Sequence, residues 1–472
     1  MNFNRSHVSN MIGSTVGNRS ARFVMLALMP LVLALALMPA AASAFSNTQF
    51  DVVPSTTQAA AHPNLVVTLN RRGSESEDIK NAVVDLPPGL LANANAITSK
   101  CSSFYFSIDA CSSSTQVGSL SVDIVALGLL PLSDVGGGIY LLSPNSTDAA
   151  TLGYVLRPIG SQIGIINKAY IKNNVTIRTD DQGLKNSHIS LPTTTAAILI
   201  VPVPITINKM KITYQARTGS GNNGNYFMIN SSSCLPGTAK MRLDSYQGVS
   251  VYNSTTITPT GCGSVPFDPS FAQTITDKRA EQSTATSVQI AEDQTAAAIQ
   301  RSNLKKATID FPAGTGLDFA VVNALTACTE AQFQANGCPT TSKIGTVNAG
   351  IPYLPPNFTG SVYALNLDNQ VAFGIALAGP RGITAKLHGA ARVTGVGPAQ
   401  HVQAIVDNNP QVPLSTFTLN FSSKLIQNPA TCTAPHVTTA VLEGWSGASV
   451  TKTASYSTTD CAPDTSITSG PG

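Results

Sequence analysis

Eight cysteines constrain this chain more than any other feature, because the same group of four is written twice. Cys101, Cys111, Cys234 and Cys262 make the first group, and Cys328, Cys338, Cys432 and Cys461 the second. Nine residues separate the first pair of each group, and 27 and 28 separate the second pairs. The differences 328−101 and 338−111 are both 227, whereas 432−234 is 198 and 461−262 is 199. A single change of length between the second and third cysteine therefore accounts for the mismatch. Internal repetition fixes the number of folding units before any other reading, and here it predicts two units of about 200 residues, each large enough to bury its own core.

Residues between the cysteines repeat at the same offset. Ala82-Val83-Val84-Asp85-Leu86-Pro87-Pro88-Gly89 answers to Ala307-Thr308-Ile309-Asp310-Phe311-Pro312-Ala313-Gly314. Tyr140 answers to Tyr363, Leu152-Gly153 to Phe373-Gly374, Asn230 to Asn428, and Tyr246-Gln247-Gly248 to Trp445-Ser446-Gly447. The expected organisation is a secretory signal at residues 1–44, a first β domain at 45–263, and a second at 264–472 that ends in a short tail. The joint is expected near Ser264 to Ser287, where Pro266, Pro269 and the charged cluster Asp277 to Glu281 interrupt the apolar alternation. Extra residues around Thr193 to Val201, and a Gly/Asn-rich insertion at Thr218 to Tyr226 that reads as a hairpin tip, lengthen the first unit.

The signal reading rests on three parts. Arg5, Arg19 and Arg22 precede an apolar run from Phe23 to Met38, and Ala42-Ser43-Ala44 offers small residues for cleavage. The run is shorter than the roughly 20 residues that cross a bilayer, and no later segment is long and apolar enough, so the mature chain is expected to carry no transmembrane segment. Extracellular release or loose retention on the envelope follows. In that setting an even cysteine count at repeated spacing reads as a disulfide framework. Zinc sites want closer cysteine pairs or nearby histidines. Four cysteines allow three connectivities per unit, and neighbours are favoured: Cys101–Cys111, Cys234–Cys262, Cys328–Cys338 and Cys432–Cys461. Around the third pair, Thr329 can cap a helical turn through Phe333 and Gly337 can end it. Each bridge contributes about 3 kcal/mol by loop entropy.

Period-two patterns recur, as in Leu65 to Leu69, Val251 to Ile257 and Ser415 to Phe421; the last puts Phe417, Leu419 and Phe421 on one face. Helical period appears only at Ala291 to Ile299 and in short turns near Cys101 and Cys328. Many short strands with regular turns favour a sandwich or a barrel; the expected class is all-β, two tandem antiparallel β-sandwich-like domains, disulfide-stapled, with short helical turns.

These motifs, taken in order, resemble a recurrent domain of secreted, uncharacterised actinobacterial proteins. The resemblance is carried by Pro54-Ser55-Thr56-Thr57-Gln58-Ala59 with His62-Pro63, by Val84-Asp85-Leu86-Pro87-Pro88-Gly89-Leu90 ahead of Cys101 and Cys111, and by Asn409-Pro410-Gln411-Val412-Pro413-Leu414 leading to Asn428-Pro429-Ala430-Thr431-Cys432. It spans most of the chain after the signal. The second unit departs with Ala313 in place of a proline, and the first lacks Asn-Pro before Cys234. The resemblance implies export and repeat architecture and adds no catalytic residue.

Charge excludes one class of partner. Removing 1–44 takes three of the 28 basic residues and none of the 25 acidic ones, leaving 25 against 25, so no basic excess exists to hold nucleic acid. Chemistry is sparse. Asp85 and Asp310 end a strand before a Pro/Gly turn and read as turn caps. Gly444-Trp445-Ser446-Gly447 lacks nucleophile-elbow spacing, and Gln247 stands in the sister position of Ser446. His62 reads as a loop residue, while His188, His388, His401 and His436 have no matched partner across the repetition. Asp180-Asp181 lacks the spacing of a calcium loop. Acceptor sequences for N-glycans fall at Asn145, Asn174, Asn230, Asn253, Asn357 and Asn420 and would mark surface loops.

The expectation is a non-enzymatic secreted or envelope-associated protein with no cofactor, catalytic residue or metal. Its two units would serve adhesion, structure or capture of an extracellular ligand, a cell-wall glycan or a protein. Its rivals are a secreted hydrolase with one active and one degenerate unit, which needs convergent carboxylates or a Ser/His pair in one cleft, and an inert spacer.

Overall fold

The computed structural model describes residues 45–461 apart from 72–77, 127–129, 146, 158–167, 189–194, 199–200, 368–369 and 433–434. The signal at 1–44 and the tail at 462–472 lie outside the described residues. Alternation of apolar and polar residues becomes strand throughout. The first group is β1 (Asn47–Pro54), β2 (Leu65–Arg71), β3 (Ile79–Asp85), β4 (Leu91–Ala92), β5 (Gln116–Ala126), β6 (Leu130–Leu142), β7 (Ala150–Leu156), β8 (Ala169–Ile177), β9 (Leu184–His188), β10 (Thr195–Ile198), β11 (Val201–Tyr214), β12 (Met228–Ile229), β13 (Gly237–Ser245) and β14 (Ser250–Ile257). The second is β15 (Ser270–Ile275), β16 (Ser283–Ala291), β17 (Leu304–Asp310), β18 (Gly316–Leu317), β19 (Lys343–Gly350), β20 (Phe358–Leu367), β21 (Gln370–Ala378), β22 (Thr384–Thr394), β23 (His401–Val406), β24 (Thr416–Gln427), β25 (His436–Gly444) and β26 (Ser449–Tyr456). Among the described residues three short α-helices accompany them: α1 (Ser103–Ser107), α2 (Phe319–Ala324) and α3 (Glu330–Gln334).

One sheet runs β1-β2-β11-β5-β6-β7-β8-β9-β3-β13-β14 and the other β15-β16-β24-β19-β20-β21-β22-β23-β17-β25-β26. Position by position, each strand of the second sheet takes the place of its counterpart in the first, and the ladders are antiparallel, as in β5–β6 and β19–β20. The chain is all-β: two tandem antiparallel, sandwich-like sheets with a few helical turns, both within one compact body. Each sheet is continuous and curls until its edge strands lie side by side, β1 against β14 and β15 against β26. Curling buries one face, so β2 alternates buried and half-buried residues along its length, and Phe417 and Leu419 of β24 point into the second core.

A seam forms where the edges meet, and both units fasten it the same way. Gln58 bridges Thr260 and Arg279 bridges Thr459, each in parallel. The equivalent buried side chains Asn230 and Asn428 lie across the seam: Asn230 Nδ2 donates to the carbonyls of Thr56 (2.8 Å) and Gln58 (3.0 Å), and Asn428 Nδ2 to those of Asp277 (2.7 Å) and Arg279 (3.0 Å). The Cys234–Cys262 and Cys432–Cys461 disulfides close the same end of each unit. Asn230 is only 3% exposed, which overturns its reading as a surface acceptor for glycan.

The joint differs from expectation. Ser270 to Ala291 forms the hairpin β15–β16, whose turn holds the charged cluster, with Arg279 paired to Asp277 at 2.7 Å; the link between the sheets is residues 258–269. Residues 292–303 are not helical. Helices this short are marginal on their own, and here the backbone bonds to the first unit instead: Ile299 bridges Ala61, and Gln300 N–H donates to Ala60 O at 2.8 Å. Glu292, 8% exposed, opens this segment. Burial pushes its carboxyl up to about 7, against the pull of Arg301, whose Nε lies 3.3 Å away. A folded-state value above the ordinary 4.5 means the native state holds this proton more tightly, so its contribution is intact below pH ~4.5 and is lost as pH rises through about 7. Glu292→Gln is expected to match the parent at pH 4.5 and to exceed it at pH 8 by up to about 3 kcal/mol. Urea unfolding at the two pH values measures the difference, and an equal stability at pH 8 would refute it.

Candidate functional site: the disulfide-closed turn of the first unit

The Cys101–Cys111 and Cys328–Cys338 disulfides each close a ten-residue separation around one helix, α1 and α3. Local chemistry builds both alike. Ser102 Oγ accepts from Tyr105 N–H, and Thr329 forms a capping box with Gln332. At the other end Asp109 (φ 56°) and Asn336 (φ 56°) take the left-handed conformation. Ala110 N–H then returns to Tyr105 O (2.8 Å) and Gly337 N–H to Gln332 O (2.7 Å), the arrangement of a Schellman cap. The residue expected to end the helix, Gly337, is thus displaced one position by Asn336, whose side chain tolerates positive φ. Cys101 and Cys328 also pair in parallel with the ends of β6 and β20, at Leu142 and Leu365.

Inside each turn one ring anchors the loop to the sheet. Phe106 and Phe333 are each 1% exposed, and each rests on the glycine of the next strand, Gly153 or Gly374. A Cβ on Gly374 would meet the Phe333 ring at 2.6 Å, and one on Gly153 would meet the Phe106 ring. Lys172 and His388, which pair with Gly153 and Gly374 in their ladders, cover those rings. Tyr140 is buried beside the first ring and Tyr363 half-buried beside the second.

Outward, the two turns differ. At the 227 offset, Phe104, Tyr105 and Ile108 of α1 and its cap stand where Ala331, Gln332 and Ala335 stand in the second unit. Phe104 is 67%, Tyr105 55% and Ile108 54% exposed. Beneath them Asp109 receives both Arg157 (Nε 2.9 Å, Nη2 2.6 Å) and Lys168 (2.6 Å), and Arg157 also donates to the Tyr140 hydroxyl at 2.9 Å. Burial works to raise the Asp109 pKa, but the hydrogen bonds from Arg157 and Lys168 outweigh it and hold the carboxyl below its ordinary range. A covalent loop, two caps, a buried ring and this ion cluster therefore hold three large apolar side chains in water. Such exposure is unfavourable unless a partner covers it. The signal was present in the sequence as the run Phe104-Tyr105-Phe106 opposite Ala331-Gln332-Phe333, yet only burial tells which ring of the three points inward.

The residues singled out from sequence fall elsewhere and do not converge. The eight cysteines pair as neighbours, and none of the described cysteines is free. Asp85 and Asp310 are not turn caps: Asp310 accepts across the ladder from Gln403 (2.6 Å) and lies 3.2 Å from His401 Nε2, while Asp85 faces Arg178 at 3.7 Å. Asp181 is held by the Arg178 fork at 2.8 Å on both oxygens, so its charge is already matched. Ser446 forms the hairpin tip with Gly447 (φ 87°), mirrored by Gly248 (φ 88°), and Trp445 Nε1 donates to Asn409 O at 2.9 Å. His388 pairs with Glu330, and His436 with Thr431 O and Thr458; His188 lies in β9. His62 is more than a loop residue, since it stacks on Tyr226 and reaches Met228 O at 2.6 Å and Ala297 O at 3.0 Å, joining the two units. Burial lowers its pKa. Among the described residues no three His, Cys, Asp or Glu side chains are grouped to hold a metal, and no helix is long and apolar enough to cross a membrane.

A buried polar trio escaped the sequence reading. Tyr154 and Tyr214 share a 2.7 Å hydrogen bond and both accept from Asn186 Nδ2, at 3.1 and 2.8 Å. The register-equivalent residues of the second unit are Ile375, Phe421 and Ala404, so this network belongs to one copy alone.

No family model matches the chain, and no curated protein matches it. Among solved structures, the C-terminal domain of the AgI/II polypeptide BspA of Streptococcus agalactiae is similar over 86% of this chain and 96% of that one, at 9% identity and a TM-score of 0.19. A likeness at that level says nothing of this chain's chemistry.

Proposed function

We propose that the chain is a non-enzymatic extracellular or envelope-associated protein that binds a partner, a cell-wall glycan or a protein, through the Phe104-Tyr105-Ile108 face. The observation that carries this reading is the rigid, outward presentation of those side chains on a frame that the second unit keeps while replacing all three. Aromatic side chains combine large contact area with few rotors, and a pre-ordered loop loses little entropy when it binds. Four disulfides support an oxidising compartment. Because the second unit lacks the face, its role here is structural, and the doubling of units does not double this contact.

Screening the chain from Phe45 onward against cell-wall glycans and extracellular proteins tests the reading. The triple variant Phe104→Ser, Tyr105→Ser, Ile108→Ser is expected to lose at least tenfold in capture at unchanged Tm, because these side chains are exposed. Opening Cys101–Cys111 with reductant should weaken capture as well. Undiminished binding by the triple variant would exclude this face.

A further inference from the structure

The two sheets meet through loops of the second unit that enter the mouth of the first. Asn95 Nδ2 donates to Pro352 O (2.9 Å), Ser231 Oγ to Gln411 Oε1 (2.6 Å), and Arg381 Nη1 to Ala149 O (2.7 Å). Arg381 adopts φ 59° to do so. These bonds hold residues 351–354 and 410–414 at the joint, and the side chains there do not fill it. One void of about 60 Å³ is walled by Leu152, Val175 and Phe227 from the first unit and Tyr353 from the second. A second, of about 70 Å³, is walled by Phe358, Leu377 and Phe417. Ile177, Gln182, Ile351, Leu354 and Val412 line both, so the two are adjoining lobes with a shared lining.

Neither lobe is lined by any Asp, Glu, Lys, Arg or His. Protein interiors are packed with few voids larger than a water molecule. A void with apolar walls stays dry and admits apolar guests, as a cavity of about 150 Å³ does with benzene. Water offered to these lobes would find few partners; burial alone pushes the Tyr353 phenol up to about 12. Neither lobe is sealed, which leaves a guest a way in.

We propose that the joint is a binding site for one uncharged hydrocarbon group, about the size of a benzene ring or the end of an alkyl chain, that spans the two adjoining lobes, since neither alone matches the roughly 150 Å³ that benzene occupies. The site exists only where the units meet, since both contribute to its walls, and it is independent of the Phe104 face. A third void, of about 30 Å³, borders the second lobe through Leu304, Asn409 and Phe417; Ile290 and Ile309 line this void and neither lobe, and they are the internal control.

The exported chain, with labelled Ile and Leu methyls, is titrated with benzene and separately with decanoate. Saturable shifts are expected at Ile177, Ile351 and Leu354, with Ile290 and Ile309 unmoved. Saturation by benzene alone assigns a small free molecule; saturation by decanoate in competition with benzene assigns a chain end whose head stays outside. Val412→Trp should weaken either guest at least tenfold by crowding the shared lining, and Ala94→Phe, reaching the first lobe from a loop, serves if the tryptophan variant fails to fold. Shifts that grow linearly without saturation, or that appear equally at Ile290 and Ile309, would overturn the proposal.

Discussion

Phe333→Ala is expected to lower stability by about 3–5 kcal/mol, the range for removing a buried aromatic side chain. The ring is 1% exposed and is the one inward-facing ring of the loop that Cys328–Cys338 closes. Its loss would remove the one buried apolar anchor of α3, leaving the disulfide, the caps and the polar contacts of Cys328 and Glu330 with the sheet. Gly374→Ala should cost about 1–3 kcal/mol for the opposite reason, overpacking, because the new Cβ would meet that ring at 2.6 Å. The two effects share one contact and should not add. In the double variant Gly374→Ala, Phe333→Leu, the smaller side chain makes room, and urea unfolding should show at least ~1 kcal/mol of favourable coupling. Strictly additive losses would mean that the ring and the glycine are not packed as described. The same cycle on Phe106 and Gly153 should behave alike.

Asn428→Ala is expected to cost about 1–3 kcal/mol, since it removes two hydrogen bonds from a buried amide to the carbonyls of Asp277 and Arg279, each worth about 0.5–1.5 kcal/mol. Asn428→Asp keeps the shape but cannot donate, and it brings a carboxylate towards the oxygens of Asp277 and Arg279; it should be no better than alanine. The effect should be local as well as global. Ala280 N–H, bonded to Thr459 O, and Thr459 N–H, bonded to Lys278 O, close the seam of the second unit, and their hydrogen-exchange protection should fall furthest. A loss below ~0.5 kcal/mol with protection intact would assign the closure to Cys432–Cys461 instead. Asn230 should respond in the same way in the first unit.

The sequence carried the periodic and covalent features of this molecule. Cysteine offsets are read by counting along the chain, and the alternation in β2 and β24 and the cap at Thr329 depend on residues near one another; both kinds of signal survive in a linear string. Asn230 and Asn428 could be matched as equivalents, but not explained: the carbonyls they reach lie more than 140 residues earlier, and only the curled sheet brings them together. Helical period at Ala291 to Ile299 misled for the same reason, because tertiary hydrogen bonds to Ala60 and Ala61 outcompete a short uncapped helix. Asp310 looked like a turn residue because a proline and a glycine follow it in sequence, whereas its partners, His401 and Gln403, come from the adjacent strand. The exposed face of α1 was half-legible as composition. The void at the joint was not legible at all, since Leu91 and Val412, which line it, are more than 300 residues apart and belong to different units.

Each unit begins and ends at its seam, with the first and last strands of the sheet as neighbours. The chain therefore enters and leaves a unit at almost the same place, and appending another copy requires a dozen connecting residues and no rearrangement of the parent. A module wired this way can be lengthened by gene duplication like links added to a necklace.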